Sequence, residues 1–157
     1  MPDTMPEPLT PHQMAEACAQ AMWARDLASQ ALGMQLARVA PGEADITMPV
    51  SEMMIQGHGT CHGGYLFALA DSAFAFACNS YNANTVAQQC SITYLAPARL
   101  GDRLTARAKE LSRRGRSGVY DVQITDQSDQ LIALFRGHAR TVKGEHLPGV
   151  AVSGSQS

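Results

Sequence analysis

Along this chain the spacing of apolar residues switches from a helical to an alternating period, back to helical, and then to alternation again. Met14, Ala17, Ala21 and Ala24 recur at helical spacing with Cys18, Met22 and Ala28 beside them. This predicts a helix over residues 12–32, stopped at Gly33. Ala44, Ile46, Met48 and Val50 then alternate with Glu43, Asp45, Thr47 and Pro49, the signature of a half-buried strand. Pro41-Gly42 suits a turn to an earlier strand over residues 34–40. After a loop over 51–62 that becomes glycine-rich toward its end, residues 63–80 are helical in pattern and apolar on nearly every side. Such a helix is buried. At about 1.5 Å per residue it spans roughly 25 Å, enough to cross a sheet. Strand patterns follow at 86–95, 103–109, 120–125 and 131–142, with turn-forming residues between them. With no helix separating them, these strands are expected to pair antiparallel as a meander. The fold class is α+β, one antiparallel sheet with one long helix on its face. The folded domain is expected over 12–142, between a flexible, proline-rich arm (1–11) and a flexible, polar, Gly/Ser-rich tail (143–157) that composition suggests is frayed.

Length and composition narrow the function classes. A chain of 157 residues is one domain, and 45% apolar with 17% charged residues excludes a disordered polyelectrolyte. A net charge of −2 offers no strong basic field for a nucleic acid backbone. No apolar run reaches the roughly 20 residues of a membrane span. The N-terminal MPDTMPEPLTPHQM has neither the basic nor the apolar region of a secretory signal. Cys18, Cys61, Cys78 and Cys90 show no paired spacing, so reduced thiols and a cytoplasmic location are expected.

The chemistry concentrates in residues 56–79, QGHGTCHGGYLFALADSAFAFACN. Asp71 interrupts an apolar helix, and a buried carboxylate without partners is costly. It either pairs locally or serves a ligand. Gly64, Ala68, Asp71, Ala75 and Cys78 share one helical face. The small side chains leave room beside the carboxylate for a substrate or for a closely packed helix. His62-Gly63-Gly64 opens the helix, where free N–H groups and the helix dipole favour negative charge. That is either a tight turn or an oxyanion hole. His58, Cys61 and His62 are metal-ligand types, but no second ligand cluster accompanies them, so no metal is expected. Gly59-Thr60-Cys61-His62-Gly63 imitates a nucleophile elbow without the buried strand that such an elbow needs. If Gly63 polarises a carbonyl that Asp71 attacks, or toward which Asp71 directs a water, both must reach one carbon. Eight helical residues separate them by about 12 Å along the axis. One helix cannot do both tasks, whereas two antiparallel helices from two subunits can. A catalytic reading therefore requires a dimer with its site at the interface.

The run HGTCHGGYLFALADSAFAFACNS resembles the hotdog-fold acyl-CoA thioesterases, and within them the phenylacetic acid degradation branch, which hydrolyses hydroxyphenylacetyl-CoA and related aryl-acyl-CoA esters. SITYLAPARLGDRLTARA, SGVYDVQITDQ and LIALFRGHARTV read like the strands that follow in that family, so the resemblance covers roughly residues 13–142. It implies a hotdog fold, a curved antiparallel sheet wrapped around one long central helix, in homodimers that commonly form homotetramers. It implies no cofactor apart from the coenzyme A of the substrate. Gly63 aligns with the glycine whose N–H polarises the thioester carbonyl, and Asp71 with the family carboxylate, nucleophile or general base. His62 aligns with the histidine that shapes the loop, and Gln56 with an amide side chain near the substrate; Gly64 completes the substrate-binding turn. Arg25 stands where close relatives place an Asn, a departure that bears on the acyl group. Arg113, Arg114 and Arg116 cluster in one expected hairpin turn, either as a clamp for the coenzyme A phosphates or as a solvated turn. Met53, Met54, Tyr65, Phe67 and Phe74 line an aryl pocket or belong to the core. Other functions in view are a medium-chain fatty acyl-CoA thioesterase, a dehydratase of acyl thioesters, whose loop differs, and a non-catalytic acyl-CoA-binding domain, which would not need Asp71.

Overall fold

The computed structural model describes residues 6–154. Residues 1–5 of the expected arm and 155–157 of the expected tail lie outside the described residues. Two helices, α1 (Pro11–Trp23) and α2 (Leu27–Ala31), precede the hairpin β1 (Gln35–Ala40) and β2 (Glu43–Pro49). The long helix α3 (Gly63–Cys78) follows, then β3 (Ala83–Tyr94), β4 (Arg103–Arg114), β5 (Ser117–Thr125) and β6 (Leu131–Glu145). All six strands join one antiparallel sheet in the order β1-β2-β4-β5-β6-β3. α3 packs on the face of β2, β4 and β5, and the fold is the α+β hotdog.

The alternation along the strands explains this packing. Ala44, Ile46 and Met48 of β2, Leu104, Ala106 and Ala108 of β4, and Tyr120, Val122 and Ile124 of β5 all turn inward and are buried. They meet Leu66, Leu69, Ala70, Ala73, Phe74 and Ala77 of α3. Each large side chain so buried contributes about 1.5–3 kcal/mol relative to exposure. Met54 and Phe74 belong to this core, Tyr65 and Phe67 pack against it half-buried, and Met53 is exposed.

The strands after α3 do not form a simple meander. β4, β5 and β6 do, but β3 pairs with β6 at the far edge, and β4 takes the place beside β2. The reason is the helix. From β2 to β3 the sheet takes four steps of about 4.8 Å, roughly 19 Å. A 16-residue helix is about 24 Å long and crosses that distance. Local alternation specifies strands, not their neighbours.

The expected single helix over 12–32 is two. Asp26 accepts the Ser29 N–H at 3.0 Å and caps α2, while the Gln30 side-chain amide donates to Trp23 O at 2.6 Å and satisfies the end of α1. A side chain that competes for backbone groups breaks a helix at that point. The described termini are held to one another where composition suggested fraying. Thr10 caps α1 in a capping box with Gln13, the Leu9 N–H donates to Ala151 O at 3.0 Å, and the Ser153 N–H donates to Leu9 O at 2.7 Å. Among the described residues no helix is long and apolar enough to cross a membrane.

Candidate active site

The loop before α3 is pinned at several points. Cys61 N–H donates to Ala98 O and His62 N–H to Met54 O, both at 2.8 Å, and Ile55 bridges Cys61. Gln56 closes the turn between them. Its amide nitrogen donates to Thr60 Oγ1 at 2.7 Å and its carbonyl accepts from His58 N–H at 2.6 Å. Gln56 therefore holds the loop's shape with both ends of its side chain.

His62 is the N-cap of α3, and its Nδ1 accepts the Gly64 N–H at 2.9 Å. This bond requires Nδ1 to be unprotonated, placing the ring proton on Nε2. Gly64 is thereby occupied. The Gly63 N–H, the first of the helix, donates to no group among the described residues. Gly63 lies in the wall of a cleft of about 460 Å³, together with Thr60, Leu66, Tyr94 and Pro97. A free N–H at the positive end of a helix, on a residue that lines an open cleft, is suited to donate to an oxyanion.

Tyr94, at the end of β3, was not legible as part of this site. Its hydroxyl donates to Gly63 O at 3.0 Å, and its ring lies so close that a Cβ on Gly63 would stand 2.9 Å from Tyr94 Cζ. The strand pattern announces an aromatic residue there but not what it touches. Tyr94→Phe keeps the ring and removes the tether. We expect a fall in kcat of roughly two- to tenfold, the worth of one hydrogen bond, with KM nearly unchanged. Steady-state kinetics on purified variant and wild type check this; a loss confined to KM would place Tyr94 in binding instead.

Asp71 is half-buried at mid-helix. Burial, and secondarily the charge of Asp26, raise its carboxyl above the ordinary value. Cys78 and Cys90 stand near enough to feel its charge, and burial raises both thiols, Cys78 to about 12. Tyr65, Ala68, Ser72 and Ala75 are half-buried like Asp71, whereas the opposite side of α3 is fully covered by the sheet.

The remaining candidates lie elsewhere. Arg25 borders an open cleft of about 660 Å³ with Asp26, Asn84, Glu145 and His146. Arg113 and Arg114 are the last two residues of β4, and Arg116 stands in the turn to β5. The Arg113 guanidinium stacks 3.6 Å over the Tyr81 ring, beyond the C-terminus of α3. Within one chain that turn is a helix length away from Gly63. Cys61 is buried with its thiol directed at the His62 carbonyl, and the described residues hold no group of three or more His, Cys, Asp or Glu side chains placed to bind a metal.

Comparison with known proteins agrees with this fold. The profile of the thioesterase superfamily matches residues 58–133. The chain is 44% identical over 126 residues to the acyl-coenzyme A thioesterase PaaI of Escherichia coli K12, covering 80% of this chain and 90% of that one. The solved structure of the E. coli PaaI protein from the phenylacetic acid degradation operon matches with a TM-score of 0.85 at 41% identity, over 87% of this chain and 99% of that one. A hypothetical thioesterase of Streptococcus pneumoniae TIGR4, solved with coenzyme A, matches with a TM-score of 0.69 at 26% identity, over 71% and 90% of the two chains. This chain belongs to the thioesterase superfamily. Its chemistry is that of an acyl-CoA thioesterase, a thioester hydrolase.

Proposed function

We propose that this enzyme hydrolyses aryl-acyl-CoA esters of the phenylacetyl and hydroxyphenylacetyl type to the free acid and coenzyme A, in phenylacetate degradation, with its active site at the interface of two chains. The observation that carries the site is the separation of its two working groups. The Gly63 N–H is free at the first turn of α3, and Asp71 stands eight residues further along, about 12 Å away. Two antiparallel copies of α3 bring the Gly63 of one chain beside the Asp71 of the other. Gly63 then polarises the thioester carbonyl, and Asp71 attacks it or takes a proton from the attacking water. Protein groups alone perform this chemistry, without metal or further cofactor.

Two features support the pairing. Among the described residues β3 is a 12-residue edge strand, hydrogen-bonded on one side only, to β6. An unpaired edge of that length invites a second strand. Val86, Tyr94 and the adjacent Leu95 are exposed along it, at 48–51%. In an antiparallel pair of helices with Gly63 beside the other chain's Asp71, the C-terminal end of that chain's α3 comes about 12 Å from Gly63, and its Arg113–Arg116 turn lies beyond that end, where Arg113 stacks on Tyr81. There it would meet the phosphates of coenzyme A. The acyl group rests on relatedness to the E. coli enzyme and on the Arg25 cleft. A dimer of such dimers would give a tetramer, and the free thiols suit a cytoplasmic setting.

Thiol release with DTNB tests the substrate, using phenylacetyl-, hydroxyphenylacetyl-, benzoyl- and medium-chain acyl-CoA. We expect the aryl-acetyl esters to have the highest kcat/KM; a preference for the fatty acyl ester would move the enzyme to another pathway. The interface is tested with two inactive variants. Gly63→Pro deletes the N–H at the first helical position, where the proline backbone fits, and its Cβ also presses on the Tyr94 ring, so the Gly63 half of the site is lost on both counts; Asp71→Asn deletes the carboxylate. Refolded together, they should regain activity, because one of the two sites in a mixed dimer is intact. No recovery in a proven mixed dimer would mean that Gly63 and Asp71 do not share a site across the interface, and the proposed pairing would fall.

A further inference from the structure

Asp26 sits in the break between α1 and α2, and both oxygens of its carboxylate accept hydrogen bonds. Oδ1 accepts the Ser29 N–H at 3.0 Å, and Oδ2 accepts the Ser29 hydroxyl at 2.6 Å. Ser29 is 2% exposed, and its Oγ lies 2.9 Å from Ser72 Oγ on α3. The direction of this chain follows from its chemistry. An ionised carboxylate only accepts, and a hydroxyl has one proton. Ser29 therefore donates to Asp26, and Ser72 donates to Ser29. Ser72 is the residue next to Asp71. The charged and titratable groups that face Asp71 are Asp26 from the α1–α2 break, Cys78 from α3 and Cys90 from β3. Burial keeps both thiols protonated, so Asp26 is the charge among them.

We propose that Asp26 is a positioning residue for the hydrolytic carboxylate. Through Ser29 and Ser72 it locks the turn of α3 that carries Asp71, and its own negative charge faces Asp71 from the break between the N-terminal helices. The proposal rests on the reading of Asp71 as the carboxylate of the reaction. A like charge favours the protonated form of its neighbour. Asp71 is thereby a stronger base once ionised, and its acid limb lies higher. The break in the N-terminal helix thus has a function: without it Asp26 would not cap α2, and Ser29 would not be held against Ser72.

Asp26→Asn is the direct test, with Asp26→Ser as a second uncharged cap. Both residues cap helices about as well as Asp. In the Asn variant the side-chain amide donates to Ser29 Oγ, so the charge is lost and the polarity of the Ser29–Ser72 link is reversed. The pH profile of kcat/KM reports the essential base of the free enzyme. We expect its acid limb to move to lower pH in both variants. Ser29→Ala breaks the link and leaves the charge, so kcat should fall by roughly two- to tenfold with the limb less displaced than in Asp26→Asn. Asp71→Asn is assayed alongside. If it is inactive while the limb of both Asp26 variants stays in place, the proposal is overturned and the reading of Asp71 stands. If Asp71→Asn retains wild-type turnover, that reading falls and the proposal with it.

Discussion

Replacing Asp71 by Asn should lower turnover by about 10²–10⁴-fold, the range of a positioned acid or base, and should at the same time raise the melting temperature. The first effect follows from the chemistry. An amide neither accepts a proton from water at neutral pH nor forms an acyl intermediate. The second follows from linkage. The folded protein raises the Asp71 carboxyl above its ordinary value of 3.8, chiefly through burial. A group raised on folding contributes its full stability below the unfolded value and loses it as pH climbs through the folded value. At neutral pH the ionised side chain therefore opposes folding, and Asn removes that opposition. A chain of this size gains roughly 2–4 °C for each kcal/mol relieved. The difference between the two proteins should be largest at neutral pH and should narrow as pH falls toward 4. Thermal melts of both proteins across that interval decide the matter. An Asn variant that melts below wild type at neutral pH would mean that Asp71 has a stabilising partner across the interface, and the burial account would fail. A carboxylate kept in a buried position at a cost to stability is the trade-off expected of a group retained for function.

A second large effect is expected in the core beneath α3. Gly137→Ala should destabilise the fold by about 1–3 kcal/mol, the usual cost of forcing a methyl group into a filled core. Gly137 lies on β6 beneath the ring of Phe74, and a Cβ there would stand 2.6 Å from Phe74 Cε2 and 2.7 Å from Cδ2 and Cζ. The ring has no room to withdraw. Phe74 is 1% exposed, with Tyr120 and Phe135 rings centred 5.6 and 5.9 Å away. In an exposed strand the same substitution would help by restricting the unfolded chain; here the clash prevails. Chemical denaturation measures the loss. Combining Gly137→Ala with Phe74→Leu should cost less than the two changes separately, since the pair shares one space. Strict additivity would show that the methyl is accommodated elsewhere.

Much of the architecture was legible because alternation and helical period report directly on which side of an element is covered. Ala44, Ile46 and Met48, Leu104, Ala106 and Ala108, and Tyr120, Val122 and Ile124 read as inward positions, and all are buried. The helix beginning at Gly63 was read with its start in place, because the His-Gly-Gly run and the change of period coincide. The position of β3 was not legible. Its residues say strand, but the choice between β4 and β6 as neighbour depends on how far α3 carries the chain across the sheet. The break at Asp26 was written in the sequence as an Asp three residues before a Ser. It was overridden in the reading by apolar residues that continue the helical period through it.

The amino-acid pattern by itself determined the α+β class, the inward faces of its strands, the buried helix and the presence of a carboxylate within it. It also limited the chemistry, since eight residues of helix between Gly63 and Asp71 rule out their meeting in one chain. These properties follow from period and spacing, which are local. Only the tertiary structure decided that the Gly63 N–H stays open while that of Gly64 is taken by His62, and that Tyr94 holds the first turn of α3. It also decided that Gly137 must lack a side chain beneath Phe74, and that Asp26, Ser29 and Ser72 form one chain beside Asp71. Each of these depends on atoms brought together from distant parts of the sequence. Contacts of that kind are set by how α3 lies in its curled sheet, and no local period encodes them.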